Sequence, residues 1–377
     1  MDREGFVSLK EVAQEAGVSV SAVSLALRNS PKISAARRRE ILRLAAKMGY
    51  REDPRINELM EHLRKTRKTR SRSLIAVIVP ELARHEFEKF PRVPALISGV
   101  RQIAASAGFG VDIIHLADPG MNCRLARSIL LARGIKGIVV APFASGVSRL
   151  DFNFEGFCAS TAGYSIVEPA LHRACPDYLR MMDGMLEMCV AAGCQRIGLV
   201  LTKTGGIGFK LFRSSFLYFQ SMIPADQRIP MLTCPSLGPT QNVGMDASSL
   251  RAWLDANRPD VVIGAASVLR MLHEMGVAVP RNLGFVSIDV ADPPTNAAGA
   301  NHCYEMVGEE AFKLMLTALK MNLTGVPEHP RVVLVDSHQQ AGFTLVSRSR
   351  ERSRNSPKAT RDWDPALASS GREIHQK

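Results

Sequence analysis

A chain of 377 residues with 46% apolar side chains is long enough for two or three domains and a sizeable core. The formal charge of +12 sits at the ends: residues 1–73 hold 17 Lys/Arg against 9 Asp/Glu, residues 348–377 hold 8 against 4, and the middle is neutral. No apolar run is long enough to span a bilayer, the charged start MDREGFVSLK is no secretory leader, and cysteines 123, 158, 175, 189, 194, 234 and 303 have neither a disulfide framework nor zinc-ligand spacing. Membrane proteins, secreted disulfide scaffolds and zinc proteins are thereby set aside. A cytoplasmic chain with reduced thiols and no cofactor is expected.

Residues 8–50 read as three short helices. Ser8 stands where an N-cap is wanted, and Val12, Ala13 and Ala16 give the first helix an apolar stripe. Gly17 stops it, because glycine enters the left-handed region without steric cost. Val18 packs in the turn, Ser19 is a fresh N-cap, and a second helix runs from Val20 to Leu27. Ser34 caps a third, with Ile41, Leu42, Ala45 and Met48 on one side. Two helices joined by a tight glycine turn form a helix-turn-helix, whose second helix enters a DNA major groove. A small helical bundle that binds protein has the same spacing. The cations Arg28, Lys32, Arg37, Arg38, Arg39 and Arg43 favour the DNA reading, since phosphate backbones demand such a face.

Glu11-Val12-Ala13, Ala16-Gly17-Val18-Ser19, Val23-Ser24, Leu27, Ser34, Arg37 and Gly49-Tyr50 carry a resemblance. In these residues the chain resembles the lactose-repressor/galactose-repressor (LacI/GalR) family of transcription regulators. The resemblance implies that Val20, Ser21 and Leu25 face base edges, with Ser24 and Arg28 nearby. Val20 and Leu25 offer only apolar contact, for instance to thymine methyl groups, so Ser21 and Arg28 are expected to do the direct reading. Ser8, Ser19, Lys32, Ser34 and Arg37 are expected on phosphates, which position without specifying sequence.

Asp53-Pro54 breaks the third helix. Ile56, Leu59, Met60 and Leu63 then recur at helical spacing, ahead of the basic link RKTRKTRSRS. By the resemblance this is a hinge helix, and Leu59 matches a leucine that wedges into the minor groove. The usual Ala-Arg-Ser is replaced by Ile56-Asn57-Glu58, and Glu61 follows, which puts carboxylates near phosphates. An amphipathic linker helix packing on its dimer mate is the alternative.

From Leu74 the pattern changes. Leu74–Pro80 is a continuous apolar run of strand length, as for a parallel strand buried on both faces. Helix is expected over 94–108, 123–134, 177–193, 209–222, 249–257, 268–276 and 305–322. Strand is expected over 111–116, 137–142, 197–201, 261–264, 283–289 and 331–335, with a looser stretch between 142 and 177. Strands alternating with helices mean parallel sheets covered on both sides. Gly308, Gly325-Val326-Pro327 and Gly342-Phe343-Thr344 repeat the family's C-terminal pattern. The resemblance thus covers about residues 6–346. It implies an all-α helix-turn-helix head (1–50), a hinge and linker (51–73), and an α/β periplasmic-binding-protein-like body of two Rossmann-like subdomains (74–347). Lobe 1 is expected at about 74–173 and 303–335, and lobe 2 at about 174–302 and 336–347. The tail 348–377 is basic, has no heptads, and is expected to be disordered.

Ligands of open α/β sheets bind beyond the carboxyl ends of the strands. Arg213, Asp289 and Asp177 fall at family effector positions, and His302 lies near the cleft by chain order, as does Tyr304. The bland role of Asp177 is a charge at a helix start. Ser287-Ile288 replaces a Gly-aromatic pair, so a stacking ring is missing, and Gly264-Ala265-Ala266-Ser267 replaces a ligand-holding Asn-Asp pair. These departures argue against a simple hexose bound in the usual way.

The expected protein is therefore a homodimeric repressor of the cytoplasm. It binds a pseudo-palindromic double-stranded operator and a small-molecule, carbohydrate-related effector, without membrane partners. The alternatives are a regulator with a degenerate cleft that binds DNA without effector, and a solute-binding protein. An enzyme on this scaffold would need a nucleophile with a base, a metal cluster or a complete dinucleotide loop, and the sequence offers none.

Overall fold

A computed structural model describes residues 7–27, 32–50, 73–87, 90–143, 146, 148–202, 206–234, 246–293 and 295–347. The expectations for Arg28, for the hinge with Leu59 and for the tail fall outside these residues.

The head is built from α1 (Leu9–Glu15), α2 (Val20–Leu27) and α3 (Ala35–Lys47). Ser8 and Glu11 form a reciprocal capping box: Ser8 Oγ accepts from the Glu11 N–H at 3.3 Å, and the Glu11 carboxylate accepts from the Ser8 N–H at 2.6 Å. Gly17 takes φ +61° in the turn between α1 and α2, a conformation costly for any residue with a Cβ. Val12, Ala13, Val23, Ala26, Ile41 and Ala45 close the core between the three helices, with Val18 packed against it.

The body contains two six-stranded sheets. The first takes β1 (Ser73–Val79), β2 (Phe109–His115), β3 (Gly137–Val140), β5 (Cys158–Ala162), β7 (His172–Pro176) and β13 (Val332–Val335), in the spatial order β13-β7-β5-β3-β1-β2, all parallel. A small parallel pair, β4 (Ser148–Arg149) with β6 (Ile166–Glu168), lies beside it in the chain. The second sheet takes β8 (Ile197–Thr202), β9 (Leu232–Cys234), β10 (Val261–Gly264), β11 (Gly284–Ser287), β12 (Gly299–Asn301) and β14 (His338–Gln340), in the order β14-β12-β11-β10-β8-β9. Its strands are parallel except β14, which runs antiparallel to β12.

Helices cover the faces of both sheets: α4 (Arg92–Ser106), α5 (Cys123–Ala132), α6 (Tyr178–Ala191), α7 (Ile207–Met222), α8 (Ala247–Asn257), α9 (Ala266–Glu274) and α10 (Tyr304–Lys320). Alternate residues of β1 feed opposite layers, as the period of two requires. Ile75, Val77 and Val79 pack with Leu96, Val100 and Phe312, while Ala76 and Ile78 pack with Leu130 and Phe157. The second sheet does the same, with Met181, Met185 and Phe212 on one side and Leu250, Leu272 and Phe285 on the other.

The looser stretch between 142 and 177 is richer in structure than its composition suggests. β5 reads CASTA and lies at the centre of the first sheet with every residue buried. Its two hydroxyls are satisfied: Ser160 Oγ donates to the Ala311 carbonyl at 2.6 Å and Thr161 Oγ1 to the Val140 carbonyl at 3.0 Å. Small size lets α10 sit close above it.

The chain passes between the sheets three times, after β7, between β12 and β13, and between β13 and β14. The first and third passages are tied together, since the Asp177 N–H donates to the Val335 carbonyl at 2.9 Å and Arg180 lies 3.7 Å from Asp336. α4 and α10 meet through glycines: a methyl group on Gly99 would strike the carbonyl of Glu305, and one on Gly308 the carbonyl of Leu96. That close crossing fixes α4, and with it Arg92 at its first turn, to the start of α10.

Candidate functional site

Two regions gather the residues singled out in the sequence. In the head, α2 turns Val23 and Ala26 inward and leaves Val20 and Ser21 exposed, with Ser24 and Leu25 half-buried. Val20 is 44% exposed, a high value for an apolar side chain at the front of a helix. The serines are engaged locally. Ser8 caps α1, Ser19 Oγ accepts from the Ala22 N–H at 3.2 Å, and Ser34 Oγ accepts from the Arg37 N–H at 3.3 Å. Arg37 donates from Nη2 to the Ala16 carbonyl at 3.0 Å, across the head, and pairs with Glu40 at 2.6 Å. It therefore ties α3 to the end of α1. Lys32 is exposed.

The second region lies at the carboxyl ends of the strands, where the chain leaves β1 toward α4, β11 toward Asp289 and β12 toward α10. Asp289 is 4% exposed, and its charge is heavily compensated. Its Oδ2 takes Arg92 Nε at 3.0 Å and the Tyr304 hydroxyl at 2.6 Å, and its Oδ1 takes the Ala291 N–H at 3.0 Å. Arg92 Nη2 also donates to Asp292. His302, likewise buried, places Nε2 2.8 Å from the Ile288 carbonyl and Nδ1 3.1 Å from the Tyr304 oxygen. The Ile288 carbonyl can only accept, so Nε2 is the ring nitrogen that donates there.

Electrostatics follow from these contacts. Burial pushes the Asp289 carboxyl up, but His302, Arg92 and the hydrogen bonds from Tyr304 and Ala291 prevail and hold it below the ordinary range. Burial also acts on Asp292, where it prevails despite Arg92, helped by the neighbouring Asp289, so that carboxyl is raised. Burial and then Asp289 push the Tyr304 phenol up, so it stays a donor.

Aromatic rings line the same place. His302 and Tyr304 stack with centroids 5.2 Å apart, Tyr178 stands edge-on to His302 at 5.8 Å, and Phe212 packs on Tyr178 at 5.2 Å. These rings come from α6, α7 and the segment leading from β12 into α10, not from Ser287-Ile288. Of the expected effector residues, Asp289 and His302 come together here. Asp177 caps α6, its Oδ1 accepting from the Arg180 N–H at 3.2 Å, and Arg213 is half-buried on α7 next to Phe212. Arg92, Asp292 and Tyr178 were not singled out in the sequence. The available signal was position after a strand's carboxyl end, but Arg92 follows a stretch without periodicity.

Five of the seven cysteines are buried in the core, and Cys123 and Cys303 are half-buried. Burial pushes the Cys158 thiol up to about 11 and Cys175 to about 12, which keeps both protonated. Among the described residues no cluster of His, Cys, Asp or Glu could hold a metal ion, and no helix is long and apolar enough to cross a membrane.

A helix-turn-helix head joined to two parallel α/β sheets, linked by three passages of chain, defines a transcription regulator with a periplasmic-binding-protein-like body. The family model of bacterial regulatory proteins, lacI family, matches residues 8–53. The HTH-type transcriptional repressor CytR of Escherichia coli (strain K12) is 24% identical over 336 residues, spanning 84% of this chain and 91% of its own length. A putative LacI-family regulator from Rhizobium etli superposes with a TM-score of 0.57 at 12% identity, covering 73% of this chain and 100% of its own. A LacI-family regulator from Enterococcus faecium, with bound ribose, gives 0.51 at 16% identity, covering 74% and 100%. Residues 8–53 carry a head of the lacI family, and over most of its length the chain is distantly similar to CytR. It is a DNA-binding transcription regulator, and the members of this family are not enzymes.

Proposed function

We propose that the protein is a homodimeric, sequence-specific repressor of the cytoplasm whose head reads a pseudo-palindromic operator and whose cleft takes a small carbohydrate-related effector. The observation that carries this reading is the front of α2, where Val20 and Ser21 stand exposed on a head matched by the lacI family model. In this reading Val20, Ser21, Ser24, Leu25 and Arg28 face base edges in the major groove. Ser8, Ser19, Ser34, Lys32 and Arg37 lie along phosphates, the serines through the same helix starts that they cap. Leu59 enters the minor groove at the centre of the site. Residues 1–50 form the head, 51–73 the hinge, and 74–347 the two-lobed body.

The effector lies between the lobes against Asp289 and His302, with Asp177 and Arg213 at its edges. The E. faecium relative with bound ribose supports a sugar-like size and polarity. Closure of the lobes changes the spacing of the two heads, and the coupling is reciprocal: operator changes effector affinity by the factor that effector changes operator affinity.

Selection from a random duplex library by the full chain tests the reading. Enrichment of a two-fold symmetric site is expected. Arg28→Ala then relaxes preference at one position, while Lys32→Ala weakens all sequences alike. A library that stays random after repeated selection refutes it.

A further inference from the structure

The cleft already holds a cation of the chain's own. Arg92 opens α4, which packs into the core of the first sheet, whereas Asp289 and Asp292 follow β11 of the second. The guanidinium bridges the two, with Nε 3.0 Å from Asp289 and Nη2 bonded to Asp292. Neither end is free to drift. α4 is pinned against α10 through Gly99 and Gly308, and Asp289 is fixed by the Ala291 N–H and the Tyr304 hydroxyl. About half of the Arg92 side chain, 47%, stays exposed, so the bridge is open to competition from solution.

A ligand that bonds Asp289 Oδ2, which already takes Arg92 and Tyr304, must take the place of this guanidinium. Neutral hydroxyls would take the guanidinium away from two neighbouring carboxylates, one of them buried, and leave the His302 ring alone to offset them, and weakening the compensation of a buried charge is unfavourable. A ligand with its own positive charge keeps the pairing intact. The half-buried Tyr304 and Tyr178 rings, which pack around the buried His302, give its remaining body a surface to lie against.

We propose that Arg92 is a tethered occupant of the cleft, and that the effector which displaces it carries a cationic nitrogen, as an amino sugar or other hydroxylated amine does. This rests on the regulator reading for its biological meaning but not for its test. The test uses the full-length chain, Arg92→Ala, and ethylguanidinium against its neutral analogue ethylurea, both at low millimolar concentration. Melting temperature and radius of gyration are read.

Arg92→Ala is expected to melt lower and scatter as a more open particle. Ethylguanidinium restores both readings, and ethylurea is at least about tenfold weaker, the difference between a charge-assisted and a neutral hydrogen bond. In the wild type ethylguanidinium is expected to shift the melting temperature only at higher concentration, where it displaces the tethered side chain, and ethylurea does not; a wild type unmoved by ethylguanidinium at any concentration overturns the displacement. Arg92→Gln, which keeps most of the side chain's length without the charge, gives the same comparison if the alanine variant does not fold. Equal rescue by ethylurea, or no rescue of a folded variant, overturns the proposal. Operator binding by the wild type is measured separately. Its absence would refute the regulator reading and leave the cleft result standing.

Discussion

Asp289 and Asp292 share one guanidinium, but they answer differently to burial. Asp289 is held below the ordinary carboxyl range and Asp292 above it. The stability that Asp289 contributes is fully present above its unfolded value, near about 3.9, and is lost as pH falls through the lower folded value. Asp292 has the opposite sign: it takes its proton first in acid, and the cost of its charge is relieved as pH falls through the raised value. Between about pH 7 and pH 4 the wild type should therefore gain stability relative to Asp292→Asn, as measured by urea unfolding across that range. A constant difference would show that Asp292 titrates normally. Asp289→Asn should cost about 2–3 kcal/mol at neutral pH, below the figure for a fully buried pair because half of Arg92 is in water. An Asp289→Asn variant as stable as the wild type would mean that the contact with Arg92 contributes nothing. At this scale the sequence was only partly legible. Asp289 and His302 could be placed by their position after strands, whereas Arg92 could not, because its partner lies 197 residues away in the chain and in the other sheet.

Helix starts were the most legible elements, since their chemistry is local. Ser8, Ser34, Asn122 and Asp177 each accept a bond from an N–H two or three residues into their helix, a need visible in the sequence as a polar residue before an apolar pattern. Strands rich in small residues were hidden for the opposite reason. β5 is buried through close packing by α10, and β12 (GAN) and β14 (HQQ) are held by pairing with their neighbours, so no apolar run marks them. The caps allow stability to be separated from DNA contact. Ser34→Ala should lower head stability by about 1 kcal/mol. Ser34→Asp keeps an accepting oxygen and should leave thermal stability unchanged while weakening DNA binding through repulsion of phosphate. If Ser34→Asp binds DNA as the wild type does, Ser34 lies away from the backbone. For the α4–α10 crossing, Gly99→Ala should force the helices apart and move Arg92 away from Asp289, read as a fall in melting temperature of the body. Retention of the wild-type melting temperature would show that the crossing adjusts without strain.

On the scale of the whole molecule, the two sheets are joined by three passages of chain and by the Arg92 bridge, while the basic head precedes them. Alternation of strand and helix made the doubly layered body readable. The three passages were readable only through resemblance, because topology depends on contacts that no local pattern encodes. The central claim is that a cationic head discriminates among duplexes on behalf of this body. Competition binding of the purified full-length chain at moderate salt tests it most directly, with a selected duplex against random competitor. The account predicts at least about a thousandfold preference for the selected site, and an affinity that falls steeply as salt rises. Equal affinity for selected and random duplex would contradict it.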